Sequence, residues 1–207
     1  MPGSGATIQP VEVPQVRCPR CWFAAPFTDL NGTVFRCVRC EWKFNLAAAT
    51  VSSPAVPLTT VPVTNSTGTV VAVTITGGTL TFVFVNGTQA GTTAGTYLVP
   101  VGGTISVTYS AAPTWAWALP ATSAPVTAGG TALTFAPTGT SIGFALGQVL
   151  IVDPAGTSDV VTVSGTPTAT SVPVNSLNSA HSSAVLVSVA QASPAHPSVQ
   201  VVPVTAY

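Results

Sequence analysis

The sequence predicts an all-β protein that is divided into several small modules. Only 5% of its 207 residues are charged, against roughly a quarter in a typical soluble domain. Hydrophobic residues make up 46%, and 18 glycines and 19 prolines divide the chain into short segments rich in valine and threonine. Such segments favour pleated strands. No segment after residue 46 has a helical period, so we expect little helix.

The charged residues separate the chain into two regions, with a boundary near residue 46. Eight of the ten lie between Glu12 and Lys43, where five basic and three acidic residues give +2, and only Asp153 and Asp159 follow. Neither a secretory signal nor an apolar run of roughly 20 residues is visible. We therefore expect folding in a reducing cytosol, where thiols bind metals in preference to forming disulfides.

Four cysteines form two C-x-x-C motifs, Cys18-Pro-Arg-Cys21 and Cys37-Val-Arg-Cys40. The fifteen residues between the motifs are typical of a zinc site, in which four thiolates form a tetrahedral shell at about 2.3 Å. Asn31-Gly32, between the motifs, indicates a hairpin. The arginines beside the ligands would offset the charge of a dianionic centre: Arg17, Arg20, Arg36 and Arg39. The sequence predicts one structural Zn²⁺ held by Cys18, Cys21, Cys37 and Cys40.

Residues 13–46 resemble the zinc ribbon family, and aromatic residues would form the small core of such a module: Trp22, Phe23, Phe27, Phe35, Trp42 and Phe44. The alternatives are a pair of disulfides or a redox C-x-x-C, and no βαβ pattern supports the latter. Zinc ribbons often contact nucleic acid, but a net charge of +2 is small for such a role. We expect a metal-stabilised folding unit within an N-terminal region of residues 1–46.

Residues 47–57 lack charge and periodicity and are interpreted as a linker, and residues 58–119 are predicted to form a small β-sandwich. Gly77-Gly78 is expected to join two strands as a tight hairpin, and Asn86-Gly87 and Gly102-Gly103 indicate further turns. Trp115 and Trp117 should point the same way on a strand. Alternation predicts three shared apolar faces: Val71, Val73 and Ile75; Leu80, Phe82 and Phe84; Ile105, Val107 and Tyr109.

Residues 120–207 are predicted to form a second small β module. Its expected strands are Val149–Val152, Val160–Val163, Val172–Val174, Val185–Val189 and Val199–Val204. Asp153-Pro154-Ala155-Gly156 matches a type I turn, with Asp first, Pro second and Gly fourth.

Two stretches resemble modules of tailed-bacteriophage virion proteins. The first, from Val61-Pro62-Val63-Thr64-Asn65 through Pro100-Val101-Gly102-Gly103 to Trp115-Ala116-Trp117, looks like a β module of capsid-decorating proteins. The second, Gly147-Gln148-Val149 with Asp159-Val160-Val161-Thr162-Val163 and Ala180-His181, is similar to another small β module of phage virions. The resemblance covers about two thirds of the chain and does not generally include a ribbon.

A few residues suited to catalysis are present, and each has a simpler structural interpretation. Gly139-Thr140-Ser141-Ile142-Gly143 satisfies G-x-S-x-G, but the helix that a nucleophile elbow requires is not expected. His181 or His196 with Asp153 or Asp159 could supply a base and its orienter. A turn for Asp153 and a local hydrogen bond for His181 are the simpler interpretations. We therefore expect no enzymatic activity.

The resemblance favours a structural virion protein that decorates or cements the exterior of a tailed-phage capsid and is made in the host cytoplasm. Its expected partners are the major capsid protein and copies of itself as a homotrimer, which the resemblance implies, and neither membrane nor nucleic acid. The ribbon is expected to dock on the particle, with Trp115 and Trp117 as the alternative docking face. The competing hypotheses are a minor tail or fibre-base protein and a zinc-ribbon nucleic-acid adaptor.

Overall fold

A computed structural model describes residues 15–17, 24–26, 30–31, 34–36, 39, 43–47 and 51–193. Every regular element in these ranges is a strand, so the described part of the protein is all-β with several small sheets, as predicted. The described residues before residue 51 form five strands: β1 Gln15–Arg17, β2 Ala24–Pro26, β3 Leu30–Asn31, β4 Val34–Arg36 and β5 Lys43–Ala47.

Residues 58–119, the middle module, contain two antiparallel sheets. Its strands are β6 Val63–Thr64, β7 Val71–Thr76, β8 Thr79–Val85, β9 Thr88–Gly91, β10 Gly95–Val99, β11 Thr104–Ala111 and β12 Thr114–Ala118. One sheet has the order β10-β7-β12 and the other β6-β11-β8-β9. The two sheets enclose one apolar core, because buried residues of both belong to the same cluster.

Most of the predicted alternation in this module is confirmed. Val71, Val73 and Ile75 are fully buried on β7, and Ile105 and Val107 are fully buried on β11. Trp115 and Trp117 lie on the same side of β12, with ring centroids 5.8 Å apart in an edge-to-face arrangement. Both tryptophans are less than 10% exposed, so they belong to the core and cannot form a docking face.

The prediction that Phe82 and Phe84 lie on the same inner face as Leu80 is wrong. Phe82 pairs with Thr108 and Leu80 with Tyr109, which leaves Thr81 as an extra residue without a partner on β11. A bulge of this kind reverses the alternation of side chains beyond it. Val83 and Val85 are therefore buried, whereas Phe82 is 37% exposed. The rings of Phe82 and Phe84 contact each other at a centroid distance of 6.0 Å on the outer side of the sheet.

The predicted hairpin at Gly77-Gly78 is also wrong. Both glycines have φ near +66°, as a tight turn requires, but β7 and β8 belong to different sheets. The turn is therefore a corner that carries the chain from one sheet to the other. The chain between β11 and β12 makes the same crossing beside it, and a Cβ on Gly78 would lie 2.6 Å from the Ala111 carbonyl oxygen. Asn86-Gly87, in contrast, forms the predicted turn, and the turn joins β8 and β9 as a hairpin.

The segment interpreted as a linker packs against the middle module where it is described. Val51 and Val56 contact the core. The indole Nε1 of Trp115 donates to the Pro54 carbonyl at 2.8 Å, and the Tyr109 hydroxyl donates to the Pro57 carbonyl at 2.8 Å. Residues 51–57 therefore cover the two tryptophans instead of forming a free tether.

Other segments cover the edges of the middle module. The Ser53 hydroxyl accepts from the Trp117 amide at 2.7 Å on β12. On β10, the Thr138 amide donates to the Thr96 carbonyl at 2.7 Å, and on β9 the Thr140 amide donates to the Ala90 carbonyl at 3.2 Å. Three edge strands thus have partners within the chain, which protects them against pairing with other molecules.

Residues 120–193, the described part of the C-terminal module, contain short antiparallel strands. They are β13 Ala132–Thr134, β14 Val149–Val152, β15 Asp159–Thr162, β16 Ser171–Pro173, β17 Val187–Val189 and β18 Gln191–Ser193. β13 pairs with β16, and β14 lies between β15 and β17. Four of the five predicted strand segments overlap β14, β15, β16 and β17, β13 and β18 were not predicted, and the fifth segment, Val199–Val204, lies outside the described residues. The Gly156 amide donates to the Asp153 carbonyl at 3.1 Å, which confirms the turn.

The middle and C-terminal modules share a hydrophobic core. Val70, Ala72 and Leu98 of the middle module belong to the cluster that contains Leu133 and Leu150. The division of the chain into two modules between residues 119 and 120 stays a prediction. The apolar side chains of the two modules nevertheless pack together. Burial across this boundary contributes roughly 25 cal/mol per Å² of apolar surface.

Buried neutral hydrogen bonds also connect the two modules. The Val189 amide donates to the Thr69 hydroxyl at 2.8 Å, and the Thr69 and Ser188 hydroxyls lie 3.4 Å apart. Asn65 holds the Thr69 loop from the other side, because its fully buried Nδ2 donates to the carbonyls of Thr69, Val99 and Pro100 at 2.8 to 3.1 Å. The Asn65 side chain therefore orders the loop that contacts β17.

Asn65→Ala should destabilise the protein by about 3 kcal/mol, since it removes the three hydrogen bonds that the fully buried Nδ2 donates to carbonyls, each of which contributes roughly 1 kcal/mol. The measurement is the free energy of unfolding from urea denaturation. Asn178→Ala, at an exposed asparagine, is the matched control and should change it by less than about 0.5 kcal/mol. Equal effects of the two substitutions would contradict the role assigned to Asn65.

Candidate functional site

The four predicted zinc ligands, Cys18, Cys21, Cys37 and Cys40, lie outside the described residues. The strands on either side of each motif are described. Arg17 of β1 pairs with Ala24 of β2, and Cys18 and Cys21 fall between them in the sequence. Arg36 of β4 pairs with Lys43 of β5, and Cys37 and Cys40 fall between them.

The two motifs have equivalent positions relative to their strand pairs. In each case six residues separate the final paired residues, and the cysteines are the first and fourth of the six. Both C-x-x-C motifs therefore connect antiparallel strands. Four cysteines in this pattern are a donor set that fits Zn²⁺, since soft thiolates with tetrahedral geometry are its preferred structural ligands. Bound there, Zn²⁺ would contribute folding energy and no catalysis.

The strand that follows the second motif also connects the N-terminal region with the C-terminal module. β5 pairs with β4 on one side and with β18 on the other, in a sheet of order β18-β5-β4-β3. The register places Gln191 opposite Ala47 and Ser193 opposite Asn45. A strand from the far end of the described chain thus completes the sheet beside the second C-x-x-C motif.

A second candidate site is formed by His181 with Asp159 and Asp153. His181 Nε2 donates to Asp159 Oδ2 at 3.0 Å, and the Ser179 amide donates to the same oxygen at 2.9 Å. His181 Nδ1 lies 3.8 Å from Asp153 Oδ2 and has no hydrogen-bond partner among the described residues. The histidine and Asp159 side chains are 1% and 4% exposed.

The expectation of a local hydrogen bond for His181 is wrong, because its partner Asp159 is 22 residues away in the sequence. Residues 51–193 contain no lysine or arginine, so His181 is the only side chain there that can offset a buried carboxylate. The structure therefore brings together three of the four residues considered as a base and orienter. The fourth, His196, lies outside the described residues.

The G-x-S-x-G segment does not form a nucleophile elbow. No helix follows Ser141, and its hydroxyl donates to the Leu98 carbonyl at 2.8 Å. Gly143 allows close packing, because a Cβ there would lie 2.7 Å from a Val70 methyl group. The glycines and serine of this motif thus attach the C-terminal module to β10.

Two uncharged grooves lie along the junction of the modules. One, of about 330 Å³, is lined by residues that include Thr74, Thr96, Leu119 and Pro137. The other, of about 260 Å³, is lined by residues that include Asn86, Gln89 and Ile142. Neither groove has an ionisable side chain among its lining residues, so neither offers an acid, a base or a charge to a ligand.

No protein-family model, curated protein or solved structure matches this chain. Within residues 51–193 and the shorter described segments, no three His, Cys, Asp or Glu residues are grouped so that they could hold a metal ion. The same ranges contain no helix of the length and hydropathy that crossing a membrane requires.

We predict that Cys37→Ser reduces the zinc content from one ion per chain, because three thiolates cannot complete the tetrahedral shell. Metal analysis of protein purified without chelator measures the content. Val38→Ser, which keeps all four thiols, should retain zinc. Loss of zinc should also increase hydrogen exchange in 191–193, because β18 pairs with β5. Zinc-free wild-type protein, or a Cys18–Cys21 disulfide in fresh material, would contradict the prediction.

Proposed function

We propose that this chain is a non-enzymatic structural protein of a tailed-phage virion that decorates or cements the capsid exterior. The observation that carries the proposal is the neutral surface of the β modules. Asp153 and Asp159 are the only charged residues in 51–193. Asp159 is buried, the Asp153 side chain is 27% exposed, and both lie beside His181.

A surface without charge suits binding to a symmetric shell better than capture of a diffusing ligand. It offers little electrostatic steering, which accelerates encounter between charged partners. Many identical sites on a particle instead allow weak contacts to add through multivalency and symmetry. The covered strand edges support this reading, since they limit uncontrolled pairing at high local concentration.

The N-terminal region is proposed to be a Cys₄ zinc ribbon that docks on the major capsid protein, with the β modules facing outward as β-sandwich or barrel units. All five basic residues lie in this region, and arginine is enriched in the cores of protein interfaces. The pairing of β18 with β5 supports this arrangement, because it attaches the C-terminal module to the docking region.

The copy number per particle tests the proposal. Quantitative mass spectrometry of purified virions should find hundreds of copies of the chain, because a decorating protein follows the repeated symmetry of the shell. The major capsid protein in the same sample is the internal standard. A handful of copies would favour a minor tail or fibre-base protein, and absence from the virion would overturn the proposal.

We also propose that the chain forms homotrimers. Uncovered strand edges are not the reason for association at β9, β10 and β12, because other segments of the chain cover these strands. Net charge near zero still promotes association, and large aliphatic side chains are exposed, including Leu58 at 79% and Leu146 at 66%. Light scattering of the purified protein should give three times the chain mass. A monomeric mass at all concentrations tested would refute the trimer.

A further inference from the structure

Asp153 and Pro154 form the only Asp–Pro peptide bond of the chain. Asp153 has φ of +56°, in the left-handed region that L-residues other than glycine rarely adopt, at a cost of roughly 1–2 kcal/mol. The backbone is held there, since the Asp153 amide donates to the Leu186 carbonyl at 2.9 Å. Strained residues that their surroundings hold in place are common at functional sites.

The Asp153 carbonyl oxygen accepts two hydrogen bonds. The Gly156 amide donates at 3.1 Å and the Ser158 hydroxyl at 3.0 Å. Two fixed donors polarise the carbonyl group and would stabilise negative charge that develops on its oxygen. The peptide carbon of this bond is therefore more electrophilic than that of an ordinary amide.

His181 provides a positioned proton carrier next to the same residue. Asp159 orients the ring through Nε2, so Nδ1 faces Asp153 Oδ2 at 3.8 Å. Nδ1 is buried and has no hydrogen-bond partner among the described residues. A histidine whose ring is oriented by a carboxylate can act as a positioned general acid or base for a neighbouring reacting group. Here the candidate nucleophile is the Asp153 carboxylate.

We propose that the protein cleaves its own Asp153–Pro154 bond. A carboxylate oxygen of Asp153 attacks its own peptide carbon, and the new bond closes a five-membered ring within the residue. The C–N bond to Pro154 then breaks, and the proline nitrogen takes the proton of the His181 imidazolium. Water hydrolyses the resulting cyclic anhydride to two carboxyl groups, and one released proton returns to His181. The net reaction is hydrolysis of one peptide bond.

The position of Asp153 favours the reaction. The attack is intramolecular, because nucleophile and target belong to one residue. The Asp153 side chain is 27% exposed, so water can reach the anhydride. Proline favours cleavage because its nitrogen is a tertiary amide and leaves as a secondary amine.

Cleavage would leave the fold connected. β14 ends at Val152 and β15 begins at Asp159, and the two strands pair from Val149–Thr162 to Val152–Asp159. Residues 1–153 and 154–207 would therefore remain associated. The new carboxylate on Asp153 and ammonium on Pro154 would place two charges on a neutral surface.

Purified full-length protein, incubated at neutral pH and analysed by intact mass under denaturing conditions, tests the proposal. The expected products are residues 1–153 and 154–207, with Pro154 as the new N-terminus. Asp153→Gly should abolish cleavage, since glycine tolerates positive φ and has no nucleophile. His181→Gln should slow it about 100-fold, the contribution of a positioned acid.

Two results would overturn the proposal. One is an intact chain after prolonged incubation of folded wild-type protein. The other is cleavage at the same rate in guanidinium-unfolded protein, which would show ordinary lability of an Asp–Pro bond. Ser158→Ala offers a further variant that keeps both Asp153 and His181, and it should slow cleavage because one oxyanion donor is removed. An unchanged rate in this variant would also count against the mechanism.

Discussion

The lack of basic side chains after Lys43 constrains the rest of this structure. Residues 51–193 contain no lysine or arginine and only two carboxylates, so no ion pair of lysine or arginine orders the loops of this region. Neutral hydrogen bonds do so instead, most clearly where Asn65 holds the Thr69 loop and Thr69 contacts β17. Such bonds stabilise modestly when made and cost several times more when a buried partner is missing. The two β modules therefore behave as one body connected by an apolar core and buried hydroxyl groups.

The cluster of His181, Asp159 and Asp153 is the one place in residues 51–193 where charged side chains meet. It also follows from the lack of lysine and arginine in these residues. A buried carboxylate is unfavourable without a compensating partner, and no cation other than histidine is present in residues 51–193. Asp159 is accordingly bonded to His181 and to the Ser179 amide. All the charge of these residues is thus concentrated at one turn, which leaves the remaining surface of residues 51–193 without charged side chains. The same cluster places His181, which can carry a proton, next to Asp153, whose backbone is strained and whose peptide bond leads to Pro154.

Local patterns in the sequence predicted the strands well and their partners less well. The inner faces of β7, β11 and β12 follow strict alternation, and Val71, Ile105 and Trp115 are buried as expected. The bulge at Thr81 exchanges the two faces of β8 beyond it. The sequence does not predict this exchange, because it has no signal for a single unpaired residue. The sequence predicts a tight turn at Gly77-Gly78, and the structure has one. A turn alone does not determine whether the strands on its two sides, β7 and β8, pair or enter different sheets.

Contacts between distant residues account for what the sequence could not predict at the candidate site and at the junction of the modules. In the site, His181 and Asp159 are 22 residues apart, and at the junction Thr69 and Ser188 are 119 residues apart. Neither spacing has a periodic signature. The zinc ligands are predicted from spacing alone and stay a prediction, and the described strands beside each motif pair antiparallel.

Native-state hydrogen exchange at β7 and β14 tests most directly whether the modules form one body. We predict that the most protected amides of both strands exchange with the same free energy of opening. The reason is that the two modules share an apolar core and a buried hydrogen-bond network. Exchange of β14 through an opening that leaves β7 fully protected would contradict it, since the C-terminal module would then unfold independently.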